Sequence, residues 1–137
     1  MRRQRATIAA VATAQGEGGI AIVRASGKLA RHILRSVFRP SIVEAEYESH
    51  RMYHGHVVSE SGEIVDEVMA VIMIAPNSYT REDVLELHCH GGTACSAAIL
   101  NRVLQCGAQM AEPGEFTKRA FLNGRIDLSR AEAVMQL

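Results

Sequence analysis

The 137-residue chain has no tryptophan, and aromatic residues make up only 4% of it. Proteins that hold single strands of nucleic acid stack bases on aromatic side chains, and this sequence has little to stack on. It also lacks charge of either sign in excess: fifteen Lys and Arg balance fifteen Asp and Glu. A domain whose main task is to grip a phosphate backbone needs a cationic surplus, so that class is disfavoured. Cysteine is scarce. Cys89, Cys95 and Cys106 are odd in number and have no Cys-x-x-Cys spacing. That suits small buried thiols in a reducing, cytoplasmic compartment better than a disulfide framework. No apolar run approaches the ~18 residues that span a membrane, so no membrane partner is expected. No Gly-x-x-x-x-Gly-Lys-Ser/Thr occurs, which removes a phosphate loop of the GTPase kind. Arg2, Arg3 and Arg5 before the apolar residues 6–14 outline a signal peptide, with Ala12-Thr13-Ala14 as its cleavage site. The apolar part is built of Ala and Thr rather than Leu or Phe and leads into glycines, so a strand after a solvated tail is the expectation.

The sequence does contain alternating and helical apolar patterns. Residues 7–13 and 20–26 read as two strands around the glycine turn Gly16-Glu-Gly-Gly19. That turn leads into a strand rather than a helix, so it does not fit a dinucleotide fingerprint. Leu29, Ala30, Ile33, Leu34, Val37 and Phe38 recur at helical spacing, with Ser26 as a cap and Pro40 as a stop. Residues 51–59 and 65–75 read as strands around the turn 60–63, the second a continuous apolar run of the kind covered on both faces. Residues 84–90 form another strand. A helix from Thr93 to Cys106 stops at Gly107, and 108–112 reads as a last short strand. Strands joined by hairpins, with helices interspersed, predict an α+β fold: a mixed, mostly antiparallel sheet with helices packed on it.

The stretch 112–137 carries two helix signals. Pro113 and Glu115 suit a first turn, and Asn123-Gly124 suits a stop. Ser129 with Glu132 forms a capping box for a second helix, which has a start and no stop. The sequence is therefore expected to be part of something longer. Lys118, Arg119, Arg125 and Arg130 cluster locally but are offset by Glu112, Glu115, Asp127 and Glu132, which suggests a solvated helix pair. Ser129 has no Gly-x-Ser-x-Gly elbow around it, and capping suffices to explain it.

Three residues invite a site on strand 84–90. Glu86, His88 and His90 share one face by alternation, but a strand rises ~3.3 Å per residue, so all three cannot converge on one ion. No metal is expected. A carboxylate on this otherwise apolar strand needs a donor: either a nearby arginine or a ligand with an N–H/NH₂ edge. Arg24, amid Ile22, Val23 and Ala25, is either a sheet-edge arginine or a contact to an anion or ring.

Three segments together resemble the MnmE/TrmE family of tRNA modification GTPases. The first runs from Thr7-Ile-Ala-Ala-Val-Ala-Thr13 through Gly16-x-Gly-Gly19 to Ile20-Ala-Ile-Val-Arg24-Ala-Ser-Gly27. The second is Pro76-Asn-Ser-Tyr-Thr-Arg-Glu-Asp-Val-Leu-Glu-Leu-His-Cys-His-Gly-Gly92. The third runs from Glu112-Pro-Gly-Glu-Phe-Thr-Lys-Arg119 through Asn123-Gly-Arg125 to Ala133. Only 31–52 falls outside the likeness. The resemblance implies that residues 1–118 form an amino-terminal tetrahydrofolate-binding and dimerisation domain, similar to the folate module of aminomethyltransferases. Residues 119–137 would be the junction and start of a helical domain. The implied activity is installing 5-carboxymethylaminomethyluridine at the tRNA wobble position, together with a flavin-dependent partner, MnmG or GidA. The implied one-carbon source is 5-formyl- or 5,10-methylene-tetrahydrofolate. GTP, Mg and K would bind in a GTPase domain that this sequence does not contain, so the chain alone is expected to be inactive. Carried over by position, the folate contacts are Arg24, Glu86 and Arg125. No catalytic residue is assigned. Two departures stand out: Thr13-Ala-Gln-Gly16 replaces the more usual Thr-Pro-Pro-Gly, and Arg81 stands where glycine is expected. The rival readings are a ligand-free structural dimerisation module, in which Glu86 and Arg24 are merely paired to each other, favoured if Glu86 is salt-bridged with no cavity beside it, and a stand-alone folate-dependent one-carbon transferase.

Overall fold

A computed structural model describes residues 5–12, 19–43, 46–90, 92–127, 129–130 and 133. It contains a mixed seven-stranded sheet with three helices among these residues. The strands are β1 (Ile8–Val11), β2 (Ile20–Ser26), β3 (Phe38–Pro40), β4 (Tyr53–Val58), β5 (Ile64–Met73), β6 (Val84–His90) and β7 (Gln109–Met110). The helices are α1 (Ala30–Val37), α2 (Gly92–Gln105) and α3 (Glu115–Leu122). The sheet order is β3-β4-β5-β6-β2-β1-β7, antiparallel throughout except for the parallel β1–β7 pair. The α+β expectation is met.

Alternation decides the faces. Val23 and Ala25 of β2, with Leu85, Leu87 and Cys89 of β6, turn to one side and are buried. There they join Ile33, Leu34 and Val37 of α1 and Ile99 and Val103 of α2 in one core. The opposite parity carries Ile22 and Arg24 of β2 and Glu86 and His88 of β6, all only half-buried. The apolar run of β5 buries Val68 and then Ala70, Val71 and Ile72 in succession, so it is covered on both faces for part of its length. The β4–β5 hairpin closes as expected, with Ser59 N–H donating to Glu63 O at 2.8 Å and Gly62 at φ 88°.

Several local expectations differ. Ser26 does not cap α1; the cap position is Leu29, whose N–H donates to Thr7 Oγ1 at 2.9 Å. Thr93 does not cap α2 either, since that helix already begins at Gly92. Pro40 does not end α1, because Phe38–Pro40 leaves the helix as an edge strand, where a missing N–H costs nothing. Gly16 to Gly18 and Glu132 lie outside the described residues. Asp127 Oδ1 accepts the Arg130 N–H at 2.9 Å, the reach of an N-cap side chain.

Candidate functional site

Arg24 and Glu86 are direct cross-strand partners in the β2–β6 register. Arg24 Nε donates to Glu86 Oε2 at 2.9 Å, and Nη2 lies 2.8 Å from the same oxygen. His88 Nε2 lies 2.9 Å from the other oxygen, Oε1. An ionised carboxylate offers about four acceptor sites, and three are taken. Glu86 therefore keeps one, with a second available if His88 turns away. Its carboxyl is held below the ordinary value, first by the His88 hydrogen bond and then by the Arg24 charge, against burial, which acts the other way. The Arg24 guanidinium stands over the Phe116 ring of α3, 5.7 Å from its centroid, a cation–π contact.

This pair faces a cavity of about 290 Å³ lined by Arg24, Met73, Tyr79, Val84 and Glu86. A larger space of about 480 Å³ shares Met73 and Tyr79 and includes Arg125 in its wall. Both are of the order of ordinary small-molecule sites, ~300–1,000 Å³. Of the three residues expected at the site, Arg24 and Glu86 are thus joined directly, while Arg125 lines the adjoining space. Glu86 is salt-bridged, but a cavity stands beside it.

The turn after α3 fixes Arg125. Gly124 N–H donates to Phe121 O at 3.0 Å and Arg125 N–H to Ala120 O at 2.7 Å, with Gly124 at φ 79°. This is a Schellman stop, built from the Asn123-Gly124 signal. Asn123 Nδ2 also donates to Thr80 O at 2.8 Å, which ties the turn to the loop 74–83. That loop forms the shared wall. It contains the cis Ala75–Pro76 bond, and Tyr79 Oη meets Thr117 Oγ1 of α3 at 3.1 Å.

A polar network behind the loop escaped the sequence reading. Ser26 Oγ bonds Thr80 Oγ1 and Glu82 Oε1, both at 2.7 Å. Arg119 reaches Glu82 at 3.1 Å and is only 3% exposed. The expected solvated cluster is therefore split: Lys118, Arg125 and Arg130 are exposed, and Arg119 is an interior strut. Among the described residues, no group of three His, Cys, Asp or Glu side chains is arranged to hold a metal. No described helix is long and apolar enough to cross a membrane.

Comparison with known proteins gives a consistent result. Residues 7–125 match the family model described as "GTP-binding protein TrmE N-terminus". The tRNA modification GTPase MnmE of Geobacter sulfurreducens is 59% identical over 132 residues, covering 96% of this chain and 29% of that protein. The MnmE of Geobacter metallireducens is 58% identical with the same coverage. That of Lacticaseibacillus paracasei is 54% identical over 132 residues, covering 28% of its length. The chain thus spans under a third of the length of these relatives. It belongs to the MnmE/TrmE family of tRNA modification GTPases, and residues 7–125 are that family's amino-terminal domain.

Proposed function

We propose that this domain binds a reduced folate, with the pterin ring against Glu86 and Arg24, and that it forms a homodimer. The observation that carries the reading is the half-buried Glu86 carboxylate beside a cavity of about 290 Å³, with acceptor capacity left after its internal bonds. A pterin presents adjacent N–H and NH₂ donors, which a carboxylate accepts in pairs. Arg24 suits the ring carbonyl, and Arg125 suits the carboxylates farther along the molecule. A 5-formyl- or 5,10-methylene-tetrahydrofolate would supply a one-carbon unit; the chain's own part is to bind and orient it. Dimerisation draws support from apolar surface on neighbouring strands, where Val11, Ile20 and Met110 are 42%, 44% and 52% exposed.

In the complete protein, this domain would serve wobble-uridine modification of tRNA in the cytoplasm, together with a flavoprotein of the MnmG kind. GTP, Mg and K would act in a part of the protein beyond this chain. The division into residues 1–118 for folate binding and dimerisation, and 119–137 as a junction, belongs to the same proposal. Arg119, Asn123 and Arg125 of the junction contribute contacts to the first unit.

Calorimetric titration with 5-formyltetrahydrofolate, run beside a light-scattering mass, tests both claims. Binding heat together with a dimer mass is expected. A dimer without binding heat would favour the rival structural module, whose support is that Arg24 and Glu86 already satisfy each other in part.

A further inference from the structure

The 480 Å³ space beside the Arg24–Glu86 cavity has a distinctive wall. His50, Arg81 and Arg125 line it, and no acidic residue does. Neither guanidinium has an ion-pair partner among the described residues. Arg81 reaches only Asn123 O, at a long 3.4 Å. It lies beside Gly124, the residue before Arg125; a Cβ added there would sit 3.5 Å from Arg81 Nη1. Like charges gathered on one wall repel unless an anion joins them.

The backbone marks the same place. His50 and Arg81, at φ 67° and 63°, are the only non-glycine residues with positive φ among those described. They come from separate loops and meet at this one space. Such conformations cost energy, persist where surroundings impose them, and cluster at ligand clamps. Here the loops are pinned: His50 N–H donates to Ile72 O at 2.8 Å, and Arg81 N–H donates to Ser78 O at 3.2 Å. Ser49 engages His50 Nδ1 at 2.8 Å, which orients the ring.

We infer that this chamber takes the poly-γ-glutamyl tail of a reduced folate, and that Arg81 and His50 make the site select polyglutamylated over monoglutamylated forms. The inference rests on the folate reading above. The two chambers share Met73 and Tyr79, so a ligand with its ring against Glu86 can extend over that wall toward Arg125. Each added γ-linked glutamate brings one more free carboxylate, and guanidinium groups bind carboxylates through paired, charge-assisted hydrogen bonds. Arg81 adds a second guanidinium to Arg125 on this wall.

The test is calorimetric titration of the chain, and of its Arg81→Gly and His50→Asn variants, with 5-formyltetrahydrofolate carrying one or five glutamates. Both replacements tolerate positive φ, so folding is preserved. The pentaglutamate should bind the unmodified chain roughly tenfold more tightly, the size of one charge-assisted hydrogen bond. That ratio should fall toward one in Arg81→Gly, fall partly in His50→Asn, and shrink with salt. Equal affinity for the two forms, or a ratio unchanged in Arg81→Gly, overturns the inference and leaves folate binding standing. Failure of both forms to bind overturns the folate reading and this inference with it. Inorganic phosphate is titrated alone as well; tight binding of that ion, undiminished when folate is present, would assign the chamber to a free anion instead.

Discussion

Arg119 and Glu82 meet across the join between α3 and the loop 74–83, one guanidinium nitrogen reaching both carboxylate oxygens at 3.1 and 3.2 Å. A second acid, Glu115, lies 3.6 Å from the other guanidinium nitrogen. The loop is the wall shared by both cavities, and α3 carries Phe116 over Arg24. This ion pair therefore positions the site without lining its ligand-facing surface. Arg119 is buried between the partly buried Glu82 and the buried Glu115, and removing it leaves both acids short of a counter-charge, so Arg119→Met should destabilise the fold by about 3 kcal/mol. Urea denaturation measures it. Adding Glu82→Gln should recover part of the loss; strict additivity in that cycle would mean that the pair is not coupled.

Glu86→Gln keeps the shape of the side chain and removes its charge. Reduced-folate binding should weaken by about 1.5–3 kcal/mol, the worth of hydrogen bonds to a charged group. The dimer mass should stay the same. Undiminished binding of 5-formyltetrahydrofolate in this variant would remove Glu86 from the site.

Acid should loosen the same pair. The Glu86 carboxyl lies below its ordinary value of 4.5 when folded, chiefly through the His88 hydrogen bond. A depressed carboxylate contributes stability that is complete above the unfolded value and lost as pH falls through the folded one. The stability difference between the unmodified chain and Glu86→Gln should therefore shrink as pH drops below about 4.5. Urea midpoints taken on both proteins across that range follow it; a constant difference would show that the shift is absent.

The period-two pattern at 84–90 was enough to put Glu86 and His88 on the face opposite Leu85, Leu87 and Cys89; that the latter face is the core came from the fold. The pairing of Arg24 with Glu86 was open in the sequence as one reading of the two charges, and the fold bears it out; what patterning could not fix was the register, because strands 62 residues apart are aligned by long-range packing. The Asn123-Gly124 stop was legible, since αL stops favour glycine, and with it the delivery of Arg125. The role of Arg119 was not. Its helix is only eight residues long, too short for a clear apolar face, and its partner Glu82 lies 37 residues away. The edge strand β3 was hidden by Pro40, which reads as a helix stop and serves here as an edge residue.

Gly27 joins β2 to α1 at φ 140°, where a Cβ would sit 2.5 Å from Thr7 Oγ1 and 2.7 Å from Thr7 Cα. The second distance is to backbone, which cannot swing aside. Thr7 Oγ1 is also the acceptor for the Leu29 N–H that begins α1. Gly27→Ala therefore combines backbone strain with a clash at a helix start, and a loss of about 3 kcal/mol or more is expected. Thermal unfolding reads it directly. A near-native Tm would mean that the β2–α1 turn has room to shift.

Arg81→Gly should act in the opposite direction on stability. A left-handed φ of 63° costs a side-chain-bearing residue about 1–2 kcal/mol. Glycine removes that cost but adds about 0.4–1 kcal/mol of unfolded-chain freedom. The lost contact to Asn123 O is long and exposed, so it subtracts little. The balance predicts a gain between zero and about 1.5 kcal/mol in a variant whose tail chamber has lost a cation. Stability and anion recognition would then trade against each other at one position, as expected where strain is held for binding. Urea denaturation of Arg81→Gly beside the unmodified chain decides it: a clear loss of stability would show that Arg81 is a structural residue, and that its backbone strain is offset by contacts within the fold.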